Sequence, residues 1–165
     1  AVAEDCLPRA VLDFATLQMR LADLLFMAQD KVESTFKEDV KDLLHKALDG
    51  RAIIVDDEPV SEALAEITPD IVIRPIDGAR VPVAVFMVTS ESRLWQAIHL
   101  RLIARYEVGQ SLSIVAMLES EDAVSRKIRV QADNRLDAVP RFKDGPKDAI
   151  ERVVRTVLGP SAAVH

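Results

Sequence analysis

The sequence places one carboxylate where hydrolytic chemistry with a metal ion would need at least two. Asp70 stands at the start of an extended apolar run, residues 71–73, and a second run, residues 81–88, follows after a short turn. A hydrolytic Mg²⁺ site needs several converging oxygen ligands and a group that activates water. The second run offers only apolar side chains. The residues therefore predict the framework of a metal site with part of its ligands missing.

The turn between the two runs predicts how they lie. Asp77-Gly78 between extended segments is a strong hairpin signal, so we expect the two runs to be antiparallel neighbours. A helix is predicted over residues 92–106. After it, residues 112–118 are apolar nearly throughout and predict a fully buried strand that pairs in parallel with the strand 81–88.

The remaining elements complete a mixed pattern. Residues 52–55 predict a first strand, residues 120–136 a helix and residues 138–142 a short extended piece, and Pro146 opens a last helix. We therefore expect a single α/β (α+β) domain over residues 35–165, with a small mixed β-sheet flanked by helices.

A long helical segment precedes the first strand. From residue 9 to residue 48 there is no glycine and no proline, and apolar residues recur at helical spacing. Thr35 with Glu38 could form a capping box. Two alternatives therefore stay open: one long helix, or two helices that meet near Ser34. We assign residues 1–34 to an N-terminal apolar helix.

This first helix is more apolar than a surface helix that buries a single stripe. Its large apolar side chains include Phe14, Met19, Leu21, Leu24, Leu25, Phe26 and Met27. A second copy of the chain, giving a homodimer or another homo-oligomer, would cover the extra face, and so would a further N-terminal domain. The alternative is a helix that lies deep in its own domain.

Composition sets the broad class of protein. With 165 residues, of which 49% are apolar, the chain is long enough for one domain with a real core. Cys6 is the only cysteine, which excludes an internal disulfide and fits a reducing compartment. No apolar run approaches the roughly 20 residues that span a bilayer. We expect a cytoplasmic protein without membrane contact, and the start at Ala1 suggests a fragment of a larger bacterial or phage-encoded protein.

Charge is divided unevenly along the chain. Residues 1–70 contain 16 acidic and 7 basic residues, whereas residues 71–165 contain 11 acidic and 14 basic ones, of which 11 are arginine. The guanidinium of arginine suits bidentate contact with phosphate or carboxylate. Two interpretations stay open: the second half contacts a nucleic-acid backbone, or it pairs with the acidic first half.

The densest basic stretch marks the candidate nucleic-acid contact. Arg126, Lys127 and Arg129 share one side of a predicted helix, and Arg135 follows near its end. Such a row could follow the phosphates of DNA. An ordinary solvated helix face explains the same residues.

The order helix, strand, hairpin of two strands, helix, strand, helix resembles the core of the PD-(D/E)xK nuclease superfamily. The resemblance covers residues 36–136 and includes Pro69-Asp70, which is similar to the dipeptide that begins the first hairpin strand in that superfamily. It implies a restriction-endonuclease-like core in which Asp70 would be the metal-binding acid.

The acid and the lysine that the superfamily carries on the next strand are absent here. Their positions hold Val85 and Met87, or Phe86 and Val88, and neither pair can bind a metal or polarise water. The resemblance therefore implies a site that is dead or relocated. If it is dead, Asp70 becomes a structural or turn-capping carboxylate.

A relocated site would combine Asp70 with Glu91, at the start of the following helix, or with Glu38 from the first helix. Mg²⁺ would be its cofactor, and Arg93 or Arg74 would replace the lysine. We expect instead a non-catalytic binding or assembly module on a nuclease-like scaffold, without a cofactor. The alternatives are a Mg²⁺-dependent DNA endonuclease with a relocated site and a DNA-binding protein that does not cleave.

Overall fold

The computed structural model describes the backbone of residues 2–159 and the side chains of residues 9–159. Within these residues the chain forms four α-helices and four β-strands. In chain order they are α1 (Val2–Leu48), β1 (Ala52–Asp56), β2 (Ile71–Pro75), β3 (Val83–Val88), α2 (Glu91–Leu102), β4 (Ser113–Leu118), α3 (Arg126–Arg135) and α4 (Pro146–Leu158). The chain divides into two compact units between Glu38 and Asp39.

The first helix is continuous, so the alternative of two helices meeting near Ser34 is wrong. The Thr35 hydroxyl donates to the carbonyl of Lys31, four residues earlier, as a threonine does inside a helix. No glycine or proline between residues 9 and 48 interrupts the backbone hydrogen bonds. No helix of the described chain is long and apolar enough to cross a membrane.

The alternative that the apolar part of α1 lies deep in its own domain is also wrong. Leu21 is 52% exposed and Leu25 is 71% exposed, and the other large apolar side chains of this part have similar values. The last turns of α1 differ, because Val40, Leu44 and Leu48 are completely buried. The helix therefore changes from an exposed apolar segment to a core element along its length.

The four strands form one mixed sheet in the order β1-β2-β3-β4. β1 and β3 each run antiparallel to β2, with Ile71 opposite Val85, and β4 runs parallel to β3. Two isolated parallel bridges join β4 to residues 138 and 141, at the place where a short extended piece was predicted. The predicted hairpin, the parallel fourth strand and the mixed α/β class are confirmed.

Helices cover the sheet because its central strands are apolar on both faces. All six residues of β3 are buried, and Phe86 belongs to a core cluster with Leu94 and Ile98 of α2 and Ile128 of α3. Helix α4 contacts β2 and β4, and its residues Ile150, Val153, Val154 and Val157 are buried as the spacing predicted. The core therefore fixes β3 at the centre of the second unit.

Two helix boundaries differ from the prediction. The helix after β3 continues beyond α2 as a π-helical turn (Ile103–Val108), which ends at Gly109 with φ at 69°. After β4 a short 3₁₀ turn (Glu121–Ala123) comes first, and α3 begins only at Arg126 because Val124 and Ser125 are extended. The acidic residues after Ser120 therefore begin a single turn and not the helix itself.

Candidate functional site

Asp70 is the one charged residue that the described part of the chain buries, with 6% of its surface exposed. Its position follows from the pairing of the strands. The Asp70 N–H donates to the carbonyl of Val85 at 3.1 Å, and its Oδ2 accepts a hydrogen bond from the N–H of Met87 at 2.8 Å. These bonds hold the carboxylate beside β3, next to the positions where the resemblance would place an acid and a lysine.

Arg93, in the first turn of α2, lies against this carboxylate. Its Nε and one terminal nitrogen donate to Oδ2 of Asp70 at 3.2 and 2.8 Å, and the same terminal nitrogen donates to the carbonyl of Thr68 at 3.1 Å. The other terminal nitrogen donates to Oε1 of Gln96 at 2.6 Å. The guanidinium carbon lies 4.8 Å from the centre of the Phe86 ring. Every nitrogen of the guanidinium therefore has a partner in this site.

The arrangement neutralises the carboxylate and ties three elements together. Oδ2 of Asp70 accepts three hydrogen bonds from N–H groups. The lone pairs of this oxygen are therefore already engaged and are less available to a cation. Arg93 cannot act as a general base, because a guanidinium does not deprotonate in proteins. Chemically, the pair can hold α2 against the start of β2 and against β3.

Glu91 is held by another element. Its Oε1 accepts a hydrogen bond from the N–H of Ser125, at the start of α3, at 2.8 Å. Hydrogen bonds from Ser125 lower the pKa of this exposed carboxyl from its usual value, because they stabilise the charged form. The carboxylate therefore links the first turn of α2 to the beginning of α3.

The other residues of the proposed relocated site are Glu38 and the two arginines, Arg74 and Arg93. Glu38 belongs to the first unit, where Ser34 donates a hydrogen bond to it at 3.5 Å. Of the two arginines named in place of the lysine, Arg93 contacts Asp70, whereas Arg74 donates to the carbonyl of Val60 at 2.6 Å. In the part of the chain with described side chains, no group of three or more His, Cys, Asp or Glu is placed to hold a metal ion.

The four basic residues predicted to contact nucleic acid fall into two groups. Arg126, Lys127 and Arg135 are exposed on α3. The side chain of Arg129 is only 14% exposed and forms an ion pair with Glu121 at 3.0 Å. Its guanidinium also donates to the backbone carbonyl of Glu121. Arg129 therefore stabilises the connection between β4 and α3, and only the other three are open to a ligand.

Arg93 and Asp70 pair the basic second half with the acidic first half, whereas other ion pairs form within the second half. Glu121 also binds Arg141, at 3.2 Å, and Lys143 binds Glu119 at 2.9 Å. On α4, Arg155 pairs with Glu151 one turn earlier. In these last ion pairs both partners lie after residue 71, since helix turns and adjacent loops bring sequence neighbours together.

Arg101 and Asp137 form another ion pair between residues far apart in the chain, which the sequence analysis did not predict. Arg101 pairs with Asp137 and donates to the carbonyl oxygens of Leu112, at 2.6 Å, and Arg135, at 3.1 Å. Asp137 also accepts the N–H of Ile114 at 2.7 Å. A cleft of about 500 Å³ is lined by Arg101, Leu112, Arg135 and Asp137, among others. No local motif could have revealed the pair, because 36 positions separate its two members.

Comparisons with protein-family models, curated proteins and solved structures found no match. The residues that any functional assignment must explain are therefore those of the Asp70–Arg93 pair and of the exposed part of α1.

Proposed function

We propose that this chain is a non-catalytic binding or assembly module that retains a nuclease-like scaffold. The observation that carries the proposal is the Asp70–Arg93 ion pair. A metal-binding acid presents its oxygens to the cation, whereas Oδ2 of Asp70 is turned to the N–H of Met87 and to a guanidinium. The arginine thus supplies the positive charge that a metal ion would bring.

The topology supports the scaffold part of the proposal. A helix, three antiparallel strands, a helix and a parallel strand follow one another in the order that resembles the restriction-endonuclease-like core. Asp70 lies at the start of β2, as the resemblance implies. Strand β3 is completely buried, so its apolar side chains serve as core.

The exposed part of α1 supports the assembly part. Its large apolar side chains, such as Leu24 at 64% and Phe26 at 65% exposure, would be unfavourable in water. A partner would remove this surface from water, which makes α1 the attachment element of the module.

A plasmid-nicking assay with Mg²⁺ or Mn²⁺ tests the absence of catalysis. We expect no metal-dependent nicking by the wild-type chain, and the same background from Asp70→Asn, whose amide oxygen can still accept the Met87 N–H. Circular dichroism checks that both proteins are folded. Metal-dependent nicking that is lost in Asp70→Asn but kept in Asp133→Asn, an exposed control on α3, would contradict the proposal and favour the Mg²⁺-dependent endonuclease.

DNA binding without cleavage is a second candidate, and one observation favours it. Arg126 and Lys127 are exposed and form no ion pair within the described residues. Under this candidate, Arg126→Glu with Lys127→Glu should weaken binding of duplex DNA at low salt by at least about tenfold, because phosphate contacts dominate non-specific affinity. The matched control is Lys147→Glu with Arg152→Glu, the same charge change on α4. A gel-shift assay in which wild-type protein retains no DNA at low salt rejects this candidate.

A further inference from the structure

The exposed apolar residues of α1 include a row with a defined spacing. Phe14, Leu17, Leu21 and Leu24 are each between 52% and 64% exposed. The steps between them are three, four and three residues, and Ala10 and Ala28 extend the row by four residues at either end. We call these six residues the α1 seam.

The spacing of the α1 seam indicates which kind of surface would cover it. Steps of three and four residues average 3.5, the repeat of helices that wind around each other in a left-handed coiled coil. A β-sheet or an irregular loop has no reason to match this repeat. The complement of the seam is therefore another helix with the same spacing.

Charges beside the α1 seam favour a second copy of the same helix. Asp13 and Arg20 border the seam on one side, and Arg9 and Asp23 lie further out on that side, so the charges alternate along the helix. Reversal of the helix direction brings Asp13 beside Arg20 of the copy, and Arg9 and Asp23 repeat this complementary order further from the seam. An antiparallel copy therefore places opposite charges across from each other.

The sizes of the apolar side chains favour the same register. When Asp13 lies near Arg20 of an antiparallel copy, Ala10 lies opposite Leu21 and Phe14 lies opposite Leu17. The four layers between residues 10 and 21 then each combine a larger with a smaller side chain, which fills the space evenly. A parallel pair in register would place Phe14 against Phe14 and Ala10 against Ala10. It would also keep Asp13 of one helix away from Arg20 of the other, so this attraction between the helices would be lost.

We propose that two copies of this chain pair through the α1 seam in an antiparallel coiled coil. The inference rests on the proposed assembly function and adds the identity of the partner, which is the chain itself, and the direction in which it binds.

Sedimentation velocity of the full chain tests the pairing. We expect the mass of two chains for the wild type at micromolar concentration and the mass of one chain for Leu17→Asp with Leu21→Asp, because charges at the centre of the seam oppose burial. The control, Val130→Asp on α3, replaces another half-exposed apolar residue and should leave the dimer intact. Near-UV circular dichroism verifies that the second unit is folded in every variant. A wild-type monomer would overturn the inference.

A charge exchange tests the direction. In one helix Asp13 and Arg20 are seven residues, roughly 10 Å, apart and do not touch, so coupling between them reports on contact between chains. Asp13→Arg alone and Arg20→Asp alone should each weaken the dimer about tenfold at low salt, since each change converts two attractions into repulsions. The double exchange should restore the wild-type dissociation constant. A dimer that the double exchange fails to restore would overturn the antiparallel arrangement.

The two proposals can fail independently. A monomeric chain without nuclease activity overturns the pairing and leaves the non-catalytic module in place, with another partner for α1. A dimer that nicks DNA through Asp70 overturns the non-catalytic function and leaves the pairing in place.

Discussion

Replacement of Arg93 by methionine should lower the free energy of unfolding by about 3 kcal/mol, the lower end of the cost of breaking a buried ion pair. The reason is that the substitution removes the cation beside Asp70, whose side chain is only 8% exposed. The lower end applies because the Arg93 side chain itself is 24% exposed. Methionine keeps an apolar chain over Phe86, so little packing is lost. Urea denaturation measures the change.

A double-mutant cycle separates the ion pair from other effects. Arg93→Met combined with Asp70→Asn should be less destabilised than the sum of the two single variants, because neither charge is then left alone. The matched control is Arg155→Met, which breaks an exposed pair with Glu151 and should change stability by no more than about 0.5 kcal/mol. Additive single changes would contradict the role assigned to the pair.

A chain that carries Phe86→Glu together with Val88→Lys should lose its cooperative fold instead of gaining nuclease activity. The two substitutions install an acid and a lysine, two residues apart, on one face of β3. Both positions are completely buried. Each charge removed from water costs several kcal/mol. Together they approach the whole stability of a domain, about 5–15 kcal/mol.

Thermal unfolding followed by near-UV circular dichroism measures the loss, and the plasmid-nicking assay runs in parallel. The matched control is Phe86→Leu together with Val88→Ile, which keeps the strand apolar and should cost about 1 kcal/mol per site. A folded charged variant that nicks DNA with Mg²⁺ would refute this account, because it would mean that β3 tolerates a catalytic pair.

The sheet could be predicted because its signals are local. The Asp77-Gly78 turn fixed the pairing of β2 with β3, and the continuous apolar run of residues 112–118 indicated the buried parallel strand. The capping signals were less informative. Thr35 has the chemistry of a cap but lies within α1, where its hydroxyl bonds to a carbonyl of the same helix. Short polar side chains serve both roles, and the surrounding helix decides between them.

The residues of the candidate site could be identified from the sequence, but the contacts between them could not. Asp70, Glu91 and Arg93 were all identified by type and position, and each was given a part in metal chemistry. Only the folded chain pairs Asp70 with Arg93, 23 residues away, and Glu91 with Ser125, 34 residues away. Sequence spacing carries no information about such contacts, since they depend on how α2 packs on the sheet.

By itself the sequence determined the mixed α/β class, the hairpin and its parallel neighbour, and the apolar character of α1, because hydrophobic spacing and turn residues act over a few positions. The tertiary structure decided which partners the charged residues take. A carboxylate at the start of a strand has the same local signal whether it binds a metal or an arginine. The burial of Asp70 beside Met87 and Arg93 distinguishes the two, because in a site of low dielectric constant the nearest charge sets the role of the group.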